Sequence, residues 1–143
     1  MTNKLKNTGQ GLVEFAILLP ALLLLIMGAL ELGRMFQMYI VVTNAAREGA
    51  YYLSYVDTED SRSCSGGVCF QGTISAAQNE GLNSGVTILP ADVTITGCTS
   101  GAPRCAVGST IAVTVTQRVN PAIIYFFTGP LPIRHTVRMV VQV

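Results

Sequence analysis

Apolar residues crowd the first part of the chain. Leu12–Leu30 reads LVEFAILLPALLLLIMGAL, 19 residues with one charge, Glu14, and one proline, Pro20. At ~1.5 Å per residue a helix of that length covers roughly 28 Å, close to the ~30 Å hydrocarbon core of a bilayer. Beyond Leu30 the pattern changes to a stripe: Leu32, Met35, Phe36, Tyr39, Thr43, Ala46, Ala50 and Leu53 recur in helical steps of three and four. Nothing stops a helix at Leu30, and Glu31 and Arg34 are spaced to pair on one side. The pattern predicts one helix over about 12–55, roughly 65 Å long. Its first half, 10–31, spans a membrane; its second half, 32–55, is amphipathic and has one face to bury.

After Tyr55 the texture becomes polar and loop-like through Gly72. Thr73 is placed to cap a short helix over 74–82, with Asn83-Ser84-Gly85 as its stop. Alternating, β-branched runs follow. Strands are predicted over 92–96, 110–118 and 133–143, the last with His135, Val137, Met139 and Val141 on one face. An apolar, proline-bounded crossover, 120–132, joins the last two. Its Ile123-Ile124-Tyr125-Phe126-Phe127 run reads as core, as a subunit contact or as a membrane contact. An antiparallel sheet packed on the second half of the long helix would bury both apolar faces. The fold class is therefore α+β, with a globular domain over 56–143.

Composition narrows the function. The chain is 50% hydrophobic and 12% charged with net charge +1, which excludes a disordered chain and leaves no basic stripe for nucleic acid. There is no Trp and one His, and no Ser–His–Asp set, carboxylate cluster or nucleotide loop. The reading is not an enzyme, with no cofactor. Small residues recur four apart as Ala29/Gly33, Ala45/Gly49 and Ala46/Ala50, a spacing that lets helices approach closely. The first pair suits contact between helices in an assembly; the other two suit seating the helix on its own domain. Pro20 removes one helical hydrogen bond and loosens the helix locally.

Glu14 is the residue that anchoring alone does not explain, because an unpaired carboxylate near the start of an apolar run is expensive to bury. Residues 1–9, MTNKLKNTG, carry Lys4 and Lys6 and no acid, which favours an N-terminus held in the cytoplasm and a C-terminal domain outside. A cut after Gly9 would make Glu14 residue 5 of the product. The new α-amino group, one turn away, would pair with that carboxylate in its own or a neighbouring chain. A cleaved secretory signal is the plainer reading, but Gly28-Ala29-Leu30 followed by Glu31 matches it poorly. An uncleaved signal anchor is the other plain reading.

A short basic leader, a Gly, Glu at +5 and an apolar helix resemble the class III signal of type IV pilins. The string Gly9-Gln10-Gly11-Leu12-Val13-Glu14-Phe15-Ala16, then Leu18-Leu19-Pro20, is similar to TadE-like pilins and pseudopilins of tight-adherence (Tad) pili. The resemblance continues through Gly33-Arg34 and Ala45-Ala46-Arg47-Glu48-Gly49-Ala50. It implies a pilin-like fold, cleavage by a prepilin peptidase between Gly9 and Gln10, and methylation of the new N-terminus. It also implies partners: other pilin subunits, inner-membrane assembly machinery and membrane lipid. The chain would sit in the inner membrane as a single pass before entering an extracellular filament or a periplasmic pseudopilus. A cut after Gly11 would put Glu14 at +3 and depart from the pattern.

Four cysteines in an exported domain are expected to be oxidised. Two local bridges, Cys64–Cys69 and Cys98–Cys105, are preferred among three connectivities. A four-cysteine zinc site is the rival, although gaps of four and six residues are wider than the usual C-x-x-C pair. His135 has no acidic neighbour in sequence and reads as a surface or packed strand residue. The function expected is a structural pilin-like subunit. The alternative is a membrane-anchored extracytoplasmic binding module that does not polymerise.

Overall fold

The computed structural model describes residues 8–55, 64–65, 68–98, 105–121 and 129–142. The elements in order are α1 (Thr8–Tyr55), β1 (Cys64–Ser65), β2 (Val68–Cys69), α2 (Gln71–Asn83), a 3-10 turn (Pro90–Asp92), β3 (Val93–Thr96), β4 (Thr110–Val119) and β5 (Leu131–Val140). The chain divides into two units, Met1–Met35 and Phe36–Val143, and α1 runs through the boundary without a break.

In the second unit β3, β4 and β5 form an antiparallel sheet with β4 at its centre. Period-two alternation sorts the side chains. Ile111, Val113 and Val115 of β4 are fully buried, and Ile133, Val137 and Met139 of β5 pack against the same core. The register sets Val113 opposite Val137 and Ile111 opposite Met139, so each pair lies on one face. The second half of α1 and the whole of α2 belong to this unit. Ala45, Ala46, Ala50 and Leu53 from α1 and Ala77 from α2 join the strands in one core. The result is α+β, a long N-terminal helix packed on a small three-stranded antiparallel sheet.

The buried stripe of α1 is Val41, Val42, Ala45, Ala46, Gly49, Ala50, Leu53 and Ser54, adjacent pairs repeating every four residues. Four residues overshoot one helical turn by about 40°, so the stripe winds along the i±4 ridge, inclined by about 26° to the helix axis. This differs from the stripe expected from the sequence. Leu32 and Phe36 are 68% and 66% exposed, and Tyr39 is also exposed. Period counting favours large apolar residues, whereas burial here goes to small residues that let the backbone approach. Gly49 shows this most directly. A Cβ there would lie 3.4 Å from Ala77 Cβ, 3.4 Å from the Thr73 carbonyl oxygen and 3.4 Å from Val113 Cγ1. The long helix, α2 and the central strand converge on that glycine.

Other boundaries shift as well. The short helix starts at Gln71, with Phe70 at its N-cap in the left-handed region (φ 59°) and no side-chain cap. Thr73 is not the cap: it lies in the first turn, fully buried, with its carbonyl oxygen facing Gly49. Asp92 closes the 3-10 turn and β3 begins at Val93; β5 starts earlier and ends earlier than expected. A two-residue ladder pairs Cys64 with Cys69 and Ser65 with Val68 inside the segment read as loop. The Ile123–Phe127 run lies outside the described residues.

Two further ties close the unit. The C-terminal tail returns to α1, where the Gln142 N–H donates to the Ser54 carbonyl at 3.0 Å. Between β3 and β4, Cys98 and Cys105 form a disulfide with Cα atoms 4.9 Å apart. Gly97 precedes it at φ 98°, where any Cβ would collide with the Thr110 carbonyl oxygen, so only glycine fits this turn. The Cys64 and Cys69 side chains lie outside the described residues.

Three outcomes follow for stability, all read by denaturant unfolding of the detergent-solubilised chain. Gly49→Ala meets only ordinary contacts and removes a helix-interior glycine, so it is neutral or stabilises by up to about 1 kcal/mol. Gly49→Leu overpacks the junction and destabilises by about 1–3 kcal/mol. Replacing both Cys98 and Cys105 by Ala costs about 2–3 kcal/mol, as expected for releasing a short closed loop.

Candidate functional site

The N-terminal half of α1 has the opposite character to its C-terminal half. Its most apolar 18-residue window has mean hydropathy 2.5, and none of that window is buried within the protein. Leu12, Ile17, Leu25 and Leu30 are each more than 70% exposed. A continuous apolar helix with no protein cover needs a cover of another kind, lipid or other helices. It has the length and apolarity of a single-pass membrane anchor.

Gly9 and Gln10 form the first turn of this helix and are exposed. Gln10 Nε2 donates to Glu14 Oε1 at 3.1 Å, a contact that the i,i+4 spacing allows. A carboxylate accepts at both oxygens, so this bond leaves Oε2 of Glu14 free to accept from another donor. Pro20 sits inside the helix and contributes no N–H toward the Ala16 carbonyl. Phe15, Leu18, Leu22 and Leu25 follow steps of three and four beside it and border a depression lined only by apolar atoms. Toward the end of this half, Arg34 Nη1 and Glu31 Oε2 pair at 3.7 Å.

The small residues named from the sequence fall into two environments. Ala29 and Gly33 are exposed, and nothing lies within 4 Å of where a Gly33 Cβ would be. Ala46, Gly49 and Ala50 are buried against α2 and the sheet. The helix thus offers one small-residue surface outward and consumes the other in its own core. His135 faces α1 from β5, its ring edge-on to Tyr39 with centroids 5.8 Å apart and planes at 86°. Among the described residues no three of His, Cys, Asp or Glu converge as a metal site would require.

The other face of the sheet was not singled out from the sequence. Arg118, Arg134 and Arg138 are exposed there, beside the threonines of β3, β4 and β5. Thr114 and Thr136 are cross-strand partners whose hydroxyls bond at 2.8 Å. The alternating T-x-T and R-x-T-x-R strings in the strands were the available signal.

The site is therefore an exposed apolar helix with Glu14 six residues past its start at Thr8. Residues 9–50 match the family model described as TadE-like protein. The match covers less than a third of the chain and is confined to α1, so α2 and the sheet lie beyond it. No curated protein and no solved structure matches the chain. The similarity to TadE-like proteins is thus a similarity of the N-terminal helix.

Proposed function

We propose that this protein is a pilin-like structural subunit of a Tad or type IV-type pilus. The observation that carries the reading is Glu14: it stands in a fully exposed apolar helix five residues after Gly9, within the TadE-like segment. Residues 1–9 act as a leader that a prepilin peptidase removes between Gly9 and Gln10. Residues 10–31 anchor the chain in the inner membrane as a single pass, N-terminus inside, and later enter the filament core. Residues 32–55 carry the helix into the exported domain, 56–143.

The physical logic is charge compensation. In lipid, the carboxylate of Glu14 is costly alone and far less so beside an α-amine. Cleavage creates that amine one turn away. Glu14 Oε2, left open by the Gln10 bond, accepts from the amine of its own or a neighbouring subunit and sets the register in which subunits add. Ala29 and Gly33 let a neighbouring helix approach closely. Partners are other pilin subunits, the prepilin peptidase and the membrane-embedded assembly machinery. A membrane-anchored binding module that keeps its N-terminus is the competing reading.

Intact mass and N-terminal sequencing of the protein from its native membrane separate the two. The pilin reading expects a chain beginning at Gln10 and one methyl heavier than its sequence. A chain beginning at Met1, or cut beyond Leu30, removes it in favour of the anchored module. Glu14→Gln is expected to insert and to be cleaved but to fail to enter filaments, read by sedimentation of sheared filaments. Normal incorporation would remove the assigned role of Glu14.

A further inference from the structure

We infer that the outer face of the three-stranded sheet is a binding surface for an acidic polysaccharide, held by Arg118, Arg134 and Arg138. α1 and α2 supply side chains to the buried face of the sheet. On the opposite face Arg118, Arg134 and Arg138 are exposed, and no described element covers it. Arg134 and Arg138 project from it on one strand, four residues and therefore about 13 Å apart. Arg118 pairs in register with Pro132 and is diagonal to Arg134, a separation of about 7–8 Å. Among the described residues this face carries no carboxylate; the nearest acid along the strands is Asp92, in the 3-10 turn before β3. None of the three arginines has an ion pair within the described structure.

Three guanidinium groups gathered on one face, with no counter-charge among the described residues, repel one another, and an anionic ligand relieves that repulsion. The remaining chemistry selects among anions. Nucleic-acid strands are held by aromatic platforms beneath their bases, and the described part of this face has no aromatic side chain. A membrane surface is held through a row of apolar side chains. Here the apolar positions are Ala112, Pro132 and Val140, scattered among threonines and arginines. What the face does offer is hydroxyl groups between cations. The hydroxyls of Thr94 and Thr116 have no partner within the described structure. A threonine hydroxyl both donates and accepts, as a sugar hydroxyl does. A guanidinium matches a uronic carboxylate with two parallel hydrogen bonds. Exposed charges are screened by salt, so one copy binds weakly. Repetition of the face along a filament, a clause that rests on the pilin reading, raises retention through multivalency.

The test uses the full chain purified from its native membrane in uncharged detergent, with immobilised alginate as the polyuronate. Neutral dextran and single-stranded oligo(dT) are the comparison surfaces. Alginate is expected to retain the protein at low salt and release it as salt rises, while dextran retains none. Replacing all three arginines by Gln is expected to weaken retention at least tenfold with an unchanged unfolding midpoint. Single Arg134→Gln and Arg138→Gln variants, which perturb the sheet least, each weaken it severalfold. Arg47→Gln, on α1, leaves it unchanged. Retention of the triple variant within twofold of the parent, equal retention on dextran, or tighter retention on oligo(dT) than on alginate overturns the inference. The N-terminus of the same sample keeps the two readings apart. A chain starting at Gln10 that ignores alginate overturns the arginine face alone. A chain starting at Met1 that binds alginate overturns the pilin reading alone.

Discussion

The meeting of the long helix, α2 and the central strand at Gly49 is the constraint on which the folded unit depends. Two helices and a sheet normally meet through long side chains, which hold them about 10 Å apart. Here the α1 surface is Val, Ala and Gly, and the space at Gly49 is bounded by Ala77, the Thr73 carbonyl and Val113 at once. The unit is small, and a small unit buries a low fraction of its surface. Three elements touching at one small residue put many atoms within dispersion range of one another. The fully buried valines of β4 and the fully buried Leu53 then fill what the small residues leave.

One helix therefore serves two solvents. Its second half is shaped by contact with a sheet, while the apolar window of its first half is not buried. The two requirements select different residues. Leucine and isoleucine suit lipid because they are apolar in every direction, while alanine and glycine suit a tight seam. The polar exceptions in the first half then stand out as costs that anchoring does not explain. Glu14, already hydrogen-bonded to Gln10, is the clearest of them, since the translocon scale sets a charged side chain at about 2.5–3.5 kcal/mol in mid-bilayer, less near the ends.

Much of this was legible in the sequence because it rests on period and composition. The long helix, the three strands and the shared face of His135, Val137, Met139 and Val141 are all period-driven, and the structure has them within a few residues. The stripe on α1 was read in part only. Ala46, Ala50 and Leu53 lie in it, but Leu32, Phe36 and Tyr39 do not, because size is what a hydrophobic count rewards and approach distance is invisible to it. The cap at Thr73 failed for a related reason: the left-handed turn at Phe70 is a tertiary choice that no capping rule anticipates. Glu14 was legible because a charge in an apolar run is conspicuous. The arginine face was not, because three cations spread over two strands join only once the register is known.

The continuity of α1 across the two units also has a mechanical meaning. No loop separates the exposed apolar half from the half that is built into the core. Within the second unit, tension applied along α1 bears on the buried stripe. The stripe runs lengthwise along the helix, so a pull along the axis loads Val41 through Ser54 together, in shear, and does not peel them off in turn. At the far end, the bond from Gln142 to Ser54 ties the last strand's tail to the same helix. A helix tied in this way at both its stripe and the chain's tail lets a small domain bear traction along α1.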